Sequence, residues 1–365
     1  MADGYMILTI FTIITDGELF VKKREVFSSF YLQENVFYDI MNPIYQRRIA
    51  MRVTVLDADT LGKDLEISAF SEFGDLTVYQ NTASGEIVEH LRDADVAVLN
   101  KVRLGKAELE SAPSLKLICI AATGFDNIDL ATCRERGIAV CNVVGYSTQS
   151  VAQVTLSMAL SLMTHLQEYT DYVRCGGYTE SGVANRLTPV YHEIAGKTWG
   201  IVGLGNIGKQ VGLVAKAMGC RVLANKRTPD PEWECVDLDT LCRESDIISV
   251  HAPLNTSTKG LIDRDHIAMM KKEAIFINVA RGAVADEAAL AEAILEGELG
   301  GLGIDVYSVE PFLKNHPYQA ILDLPNVCLT PHMAWGGYET RVRLLGEMVE
   351  NVRAFLRGER RNRVD

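Results

Sequence analysis

The sequence predicts an α/β protein built from two doubly wound parallel-sheet domains. Three observations point there. From Met51 onward, short β-branched runs alternate with helical stretches. A second series of the same kind starts at Lys197. A stretch without Pro or Gly, Ser150 to Tyr172, lies between them. Strands that alternate with helical segments imply parallel sheets whose crossovers are helices.

Taken in chain order, the first fifty residues have a mixed, weakly periodic pattern and end near the basic pair Arg47-Arg48. Residues 1–50 are expected to be an extension outside the core, the product of a start codon placed early rather than an accessory segment. The fold is expected to open at Met51, in Met-Arg-Val-Thr-Val-Leu-Asp. Buried strands are expected at Val53 to Leu56, Leu76 to Tyr79, Val96 to Leu99 and Leu117 to Ile120, with a helical stretch from Ala83 to Leu91. Ser150 to Tyr172 reads as one amphipathic helix joining two domains. The second series places strands at Thr198 to Val202, Arg221 to Ala224, Ile247 to His251, Ala274 to Val279, Gly303 to Val306 and Val327 to Leu329. A helix from Ile207 to Met218 follows the first of these. Tyr338 to Arg357 reads as a helix that returns the chain to the first domain. Residues 51–149 and 335–365 therefore form one discontinuous domain, and residues 150–334 form a second one inserted in it.

Composition narrows the function classes. The formal net charge is -12, which argues against a nucleic-acid partner. None of the eight cysteines stands in a C-x-x-C pair, and no His/Cys cluster has metal-ligand spacing. They read as buried thiols of a reducing compartment, with no metal. The apolar run Met6 to Ile14 is too short to span a bilayer and lacks the flanks of a signal peptide. A cytoplasmic protein without a membrane partner is expected.

The chemistry begins at Trp199-Gly200-Ile201-Val202-Gly203-Leu204-Gly205-Asn206-Ile207-Gly208. Here G-x-G-x-x-G follows a strand and opens a helix, the context in which it binds a dinucleotide. Gly203 makes the tight turn, Gly205 lets backbone approach a pyrophosphate, and Gly208 lets helix and strand pack. The helix start, at Asn206 and Ile207, offers N–H groups and a positive dipole end to the phosphates. About twenty residues on, where an NAD site carries an acid, the chain reads Leu223-Ala224-Asn225-Lys226-Arg227-Thr228. Lys226 and Arg227 can pair with a 2′-phosphate, so NADP(H) is favoured over NAD(H).

Three further segments each carry a charged residue just past a predicted strand, where open α/β sheets bind ligands. They are Asn278-Val279-Ala280-Arg281-Gly282, Asp305-Val306-Tyr307-Ser308-Val309-Glu310-Pro311 and Thr330-Pro331-His332-Met333-Ala334-Trp335. Together with Ala122-Thr123-Gly124-Phe125-Asp126-Asn127-Ile128-Asp129, the glycine turn and His251-Ala252-Pro253-Leu254, they resemble the D-isomer-specific 2-hydroxyacid dehydrogenase family. The resemblance covers essentially everything from Met51 onward. It is strongest in style to the glycerate dehydrogenase or hydroxypyruvate reductase type, through Gly145-Tyr146-Ser147-Thr148-Gln149-Ser150-Val151-Ala152-Gln153 and His332-Met333-Ala334-Trp335.

The resemblance implies a Rossmann-type cofactor domain inserted in a flavodoxin-like substrate domain. It also implies hydride transfer between NAD(P)H and a small 2-keto acid, hydroxypyruvate or glyoxylate, giving the D-2-hydroxy acid. Arg281 would hold the carboxylate and the developing alkoxide, His332 would give or take the proton, and Glu310 would orient His332 and favour its charged form. The backbone of Thr123 and Gly124 matches the loop that holds the substrate carboxylate. Lys101 lies on a loop facing the substrate, either as a second cation or as a solvated lysine. His251 and Pro253 match the adenine wall, Ala280 lies beside the cofactor, and Asp305 matches the position that bonds the nicotinamide carboxamide. A homodimer is implied. Tyr178 stands where the family often has a bulky aromatic, which leaves preferred substrate size open. The competing readings are a dinucleotide-sensing corepressor-like binding protein, and a family dehydrogenase for D-lactate, 3-phosphoglycerate or formate.

Overall fold

The structure, a computed structural model, describes residues 50–365. The expected extension lies outside the described residues except for Ala50. Among these residues there are two wholly parallel sheets.

The first sheet is formed by β1 (Met51–Val55), β2 (Gly74–Val78), β3 (Val96–Leu99), β4 (Leu117–Ile120) and β5 (Ala139–Cys141). Its order, β2-β1-β3-β4-β5, is the flavodoxin-like order. Its connecting helices are α1 (Ile87–Leu91), α2 (Lys106–Glu110) and α3 (Leu130–Arg136). Every residue of β3, β4 and β5 is buried, as apolar runs in a sheet covered on both faces must be.

Three helices then follow, α4 (Thr148–Met163), α5 (Leu166–Arg174) and α6 (Gly177–Ser181). The second sheet is formed by β6 (Thr198–Val202), β7 (Arg221–Asn225), β8 (Glu234–Cys235), β9 (Ile247–Val250), β10 (Ile275–Asn278), β11 (Gly301–Ile304) and β12 (Val327–Leu329). Its helices are α7 (Asn206–Ala217), α8 (Leu238–Glu244), α9 (Arg264–Ala268) and α10 (Glu287–Leu295). The order β12-β11-β10-β9-β6-β7-β8 reverses direction between β6 and β9, which makes a topological switch point there. The final helix, α11 (Tyr338–Leu356), buries Leu344, Leu345, Met348, Val349 and Val352 against the first sheet. Helix α4 buries Val151, Met158 and Leu162 in the core of the second sheet.

Some expectations are corrected. The single helix expected from Ser150 to Tyr172 is broken. His165 adopts a left-handed φ of 51°, and the Thr164 hydroxyl bonds back to Leu160 O at 2.6 Å. A left-handed residue cannot continue the ladder, and neither side chain announces this as Gly or Pro would. The helical stretch from Ala83 shortens to α1, because Ala83 N is capped by Glu86 at 2.9 Å instead of entering a helix. The strand expected at Gly303 to Val306 lies two residues earlier, since its glycines hide the β-branched signal. Strands β5 and β8 were not expected; at three and two residues they are too short to show a period. The cysteines are not uniformly buried. Cys175 is exposed where α5 ends, and Cys235 and Cys328 are half-buried.

Candidate active site

Parallel strands all end on one edge, so the loops beyond β1, β3, β4, β6, β9, β10, β11 and β12 bring their side chains to one cleft between the sheets. In the first domain, buried Asp57 follows β1 and accepts the backbone N–H groups of Asn100 (2.9 Å), Lys101 (2.6 Å) and Val102 (3.0 Å). One carboxylate therefore fixes the loop that carries Lys101. After β4, Thr123 is pinned by its hydroxyl on Val143 O at 2.7 Å. A Cβ on Gly124 would lie 2.1 Å from Arg281 Nη2, so the guanidinium of the second domain rests directly on this backbone.

At the switch point, Gly203 has φ +96°, and a Cβ there would meet Ala252 N at 2.6 Å. Only glycine fits the turn. At Gly205, which caps α7, a Cβ would meet nothing within 4 Å, whereas at Gly208 it would strike Gly203 O at 2.4 Å. The turn is thus packed beneath and open above, at a helix start whose first N–H groups, including those of Asn206 and Ile207, lack intrahelical partners. That arrangement fits a pyrophosphate. Lys226 and Arg227 are exposed beyond β7. Asp230, which sequence reasoning missed, holds Lys209 at 2.7 Å and lies 3.8 Å from Lys226. His251 Nε2 lies 3.0 Å from Ser249 Oγ, which also accepts Trp199 Nε1 at 2.9 Å. Burial pushes the imidazole down to about 3, so it is held neutral, and its Nδ1 has no hydrogen-bond partner among the described residues. Pro253 turns the chain away, its carbonyl accepting the Thr258 hydroxyl at 2.5 Å.

After β10, Ala280 N is fixed on Asn278 Oδ1 at 3.0 Å, and Arg281 Nη1 donates to Ala280 O at 2.8 Å. Tyr146, unnoticed except as part of a motif, is buried and packs its ring edge-on to Trp335. Burial pushes its phenol up to about 12 against the opposing pull of Arg281. His332 sits at φ 52°, a strained backbone for a non-glycine residue. Asp305 supports the strain. Its backbone oxygen accepts His332 N at 2.8 Å, and its carboxylate accepts Thr330 Oγ1 (2.6 Å), Met333 N (2.8 Å) and Ala334 N (2.9 Å). Burial raises the Asp305 carboxyl above its ordinary value despite these donors. The structure therefore spends Asp305 chiefly on shaping the His332 turn.

His332 Nδ1 lies 2.6 Å from Glu310 Oε2, while Glu310 Oε1 accepts Tyr307 N at 3.0 Å. Burial pushes the Glu310 carboxyl up, but the His332 hydrogen bond and charge, the Tyr307 amide and Lys101 outweigh it and bring it below its ordinary value. With Nδ1 engaged, Nε2 is the ring nitrogen left to exchange a proton with a ligand. Lys101 Nζ reaches across the cleft to 3.1 Å from His332 Nδ1 and 3.8 Å from Glu310 Oε2. Arg281 and Gly124 thus meet on one side, and Lys101, Glu310 and His332 form a second cluster. Tyr178 is in neither; its hydroxyl donates to Ala184 O at 3.0 Å on an exposed arm. Asp57 and Tyr146 were illegible in sequence because their partners are distant along the chain.

The NAD-binding domain model of the D-isomer-specific 2-hydroxyacid dehydrogenases matches residues 156–334. A glycerate dehydrogenase from Methylorubrum extorquens is 37% identical over 315 residues, covering 86% of this chain and 99% of that protein. The chain belongs to the D-isomer-specific 2-hydroxyacid dehydrogenase family. A hydroxypyruvate reductase from Blautia hydrogenotrophica is 32% identical, covering 84% of this dehydrogenase and 98% of that one. The crystal structure of a Thermus thermophilus protein superposes with a TM-score of 0.78 at 33% identity, covering 86% of this dehydrogenase and all of that chain. This dehydrogenase is accordingly an oxidoreductase with a nicotinamide-dinucleotide site. Among its described residues no group of His, Cys, Asp and Glu is placed to hold a metal ion, and no helix is long and apolar enough to cross a membrane.

Proposed function

We propose that this dehydrogenase reduces hydroxypyruvate or glyoxylate reversibly to the D-2-hydroxy acid, with NADPH preferred, as a homodimer. The observation that carries the reading is the His332–Glu310 pair at 2.6 Å, on the same cleft edge as the Arg281 guanidinium and the Gly203 turn. The names of the glycerate dehydrogenase and hydroxypyruvate reductase relatives support the substrate class. Residues 51–149 and 335–365 would bind the acid, and residues 150–334 the dinucleotide.

A reduced dinucleotide held by its pyrophosphate on the Gly203 turn would supply the hydride from its nicotinamide. Arg281 and the Thr123–Gly124 backbone orient the substrate carboxylate, and Arg281 offsets the negative charge that builds on the carbonyl oxygen. His332 Nε2 gives that oxygen a proton, and Glu310 holds the ring's other nitrogen so that the imidazolium is oriented and stabilised. In the oxidation direction His332 takes the proton back. Asp305 acts from beneath, by fixing the His332 turn. Lys226 and Arg227 favour a 2′-phosphate, with Asp230 holding Lys226 in range.

The test is absorbance loss at the reduced nicotinamide band with hydroxypyruvate, glyoxylate or pyruvate and either NADH or NADPH. Turnover is expected to be fastest with hydroxypyruvate or glyoxylate and NADPH. Lys226→Asp should move the preference toward NADH. No turnover with any pair would reject the enzyme reading and favour a dinucleotide-binding protein without chemistry.

A further inference from the structure

Nothing in the proposed chemistry explains why the loop carrying Lys101 is so heavily tied down. Asp57, a buried carboxylate, is spent on three successive amides of this one loop. On its other side Asn127 Nδ2 donates to Val102 O at 2.8 Å and Asn100 O at 3.3 Å, and Asn100 Nδ2 donates to Thr60 Oγ1 at 3.1 Å. Burying a charge is costly unless it is fully bonded, so this is a built platform. What it presents across the cleft is one ammonium, 3.1 Å from His332 Nδ1.

That contact conflicts with the one Glu310 makes. A ring nitrogen carries either a hydrogen or a lone pair, never both. If Nδ1 holds the hydrogen, it donates to Glu310 at 2.6 Å and the ammonium faces the ring as a bare like charge once the imidazole is protonated. If Nδ1 holds the lone pair, it accepts from Lys101, and Glu310 loses its donor. One carboxylate therefore serves two cations that repel each other at this range. The other charges facing Lys101 are Asp126, Asp57, already committed to the loop, and Arg281, which opposes it. Those facing His332 are Glu310, Asp305 and Lys101 itself. Burial pushes the Lys101 ammonium below its ordinary value, a cost that a second anion would relieve.

A 2-keto acid brings that anion. We infer that Lys101 makes protonation of His332 conditional on substrate, competing with the imidazole for Glu310 until the substrate carboxylate draws the ammonium away. The neutral ring, which kept its hydrogen on Nε2 while Nδ1 faced Lys101, then takes one proton from solvent on Nδ1 and donates it as a hydrogen bond to Glu310, leaving Nε2–H ready for transfer. This rests on the function proposed above and adds a positioning residue to it.

The experiment measures proton uptake when oxamate, a carboxylate with an adjacent amide carbonyl, binds the NADPH-loaded protein. Calorimetry at pH 7.5 in two buffers of different ionisation enthalpy gives the number of protons. Wild type is expected to take up a large fraction of one proton. Lys101→Met should take up little, because its ring is already charged by Glu310, and Lys101→Arg should restore the uptake. In steady state the alkaline limb of kcat/KM for keto-acid reduction should move up by about 1 pH unit in Lys101→Met. The limb in kcat should stay in place. Equal uptake and an unmoved limb in Lys101→Met would overturn the inference, even if KM rose, since Lys101 would then be a carboxylate ligand alone. A wild type that reduces no 2-keto acid would instead overturn the function it rests on.

Discussion

At Gly124 the absence of one carbon places the proposed anion-binding cation. Its neighbour Arg281 can yield, because the atom a Cβ would strike is the far end of a long side chain. Gly124→Ala is therefore expected to leave the fold and NADPH affinity intact while displacing the guanidinium. Losing a charge-assisted bond of about 1.5–3 kcal/mol predicts a fall in kcat/KM for the keto acid on the order of 10- to 100-fold. Steady-state kinetics beside a thermal melt check this; a lowered melting temperature with unchanged KM would show that the glycine serves packing. Residues of this kind divide by legibility. Arg281, Glu310 and His332 stood out because each follows a strand on schedule. Asp57 did not, since its amide partners lie 43 to 45 residues away and a lone Asp after a strand has no local signature.

At the scale of elements, the site is a set of strand-end loops locked to one another. Glu287, the first residue of α10, accepts Ser308 N at 2.8 Å, the Ser308 hydroxyl, and His316 Nε2 at 3.1 Å. His316 Nδ1 accepts Tyr318 N at 3.2 Å, which fixes its tautomer. Both ends of the loop that bears Glu310 are thereby clasped to one carboxylate. The Arg281–Gly282 turn packs on the same Tyr307–Ser308 backbone. Glu287→Gln would turn an acceptor into a donor facing the His316 N–H or the Ser308 amide. Loosening Glu310 relative to His332 should cost about 10- to 100-fold in kcat with KM for NADPH unchanged, a misplacement effect remote from the chemistry. A wild-type kcat would show that the clasp is dispensable. The strands feeding these loops were legible because runs buried on both faces are apolar throughout. The break at His165 and the strands β5 and β8 were not, being set by a single left-handed residue and by pairings too short to leave a period.

At the scale of the molecule, the proposed dimer has a physical candidate for its contact. Between α5 and β6 the chain forms an arm on which Val183, Leu187, Val190 and Tyr191 are exposed, with Leu166 and Val173 exposed on α5. The arm is held in place: the Tyr169 hydroxyl donates to Pro189 O, Tyr191 meets the Tyr169 ring edge-on, and Arg186 lies over the Tyr172 ring. Among the described residues, apolar side chains gathered on one exposed surface make it the candidate contact of the proposed dimer. The helix that starts at Thr148 ends before His165, so in the proposed dimer the arm, rather than one long helix, would make the contact. Light scattering on a chain of 40.3 kDa should report a particle of two chains at micromolar concentration. Leu187→Glu with Val190→Glu should reduce it to one chain while the far-ultraviolet circular dichroism is retained, since neither side chain packs inside the fold. A wild type that runs as a single chain, or a double variant still paired, would assign these residues to the surface of a monomer.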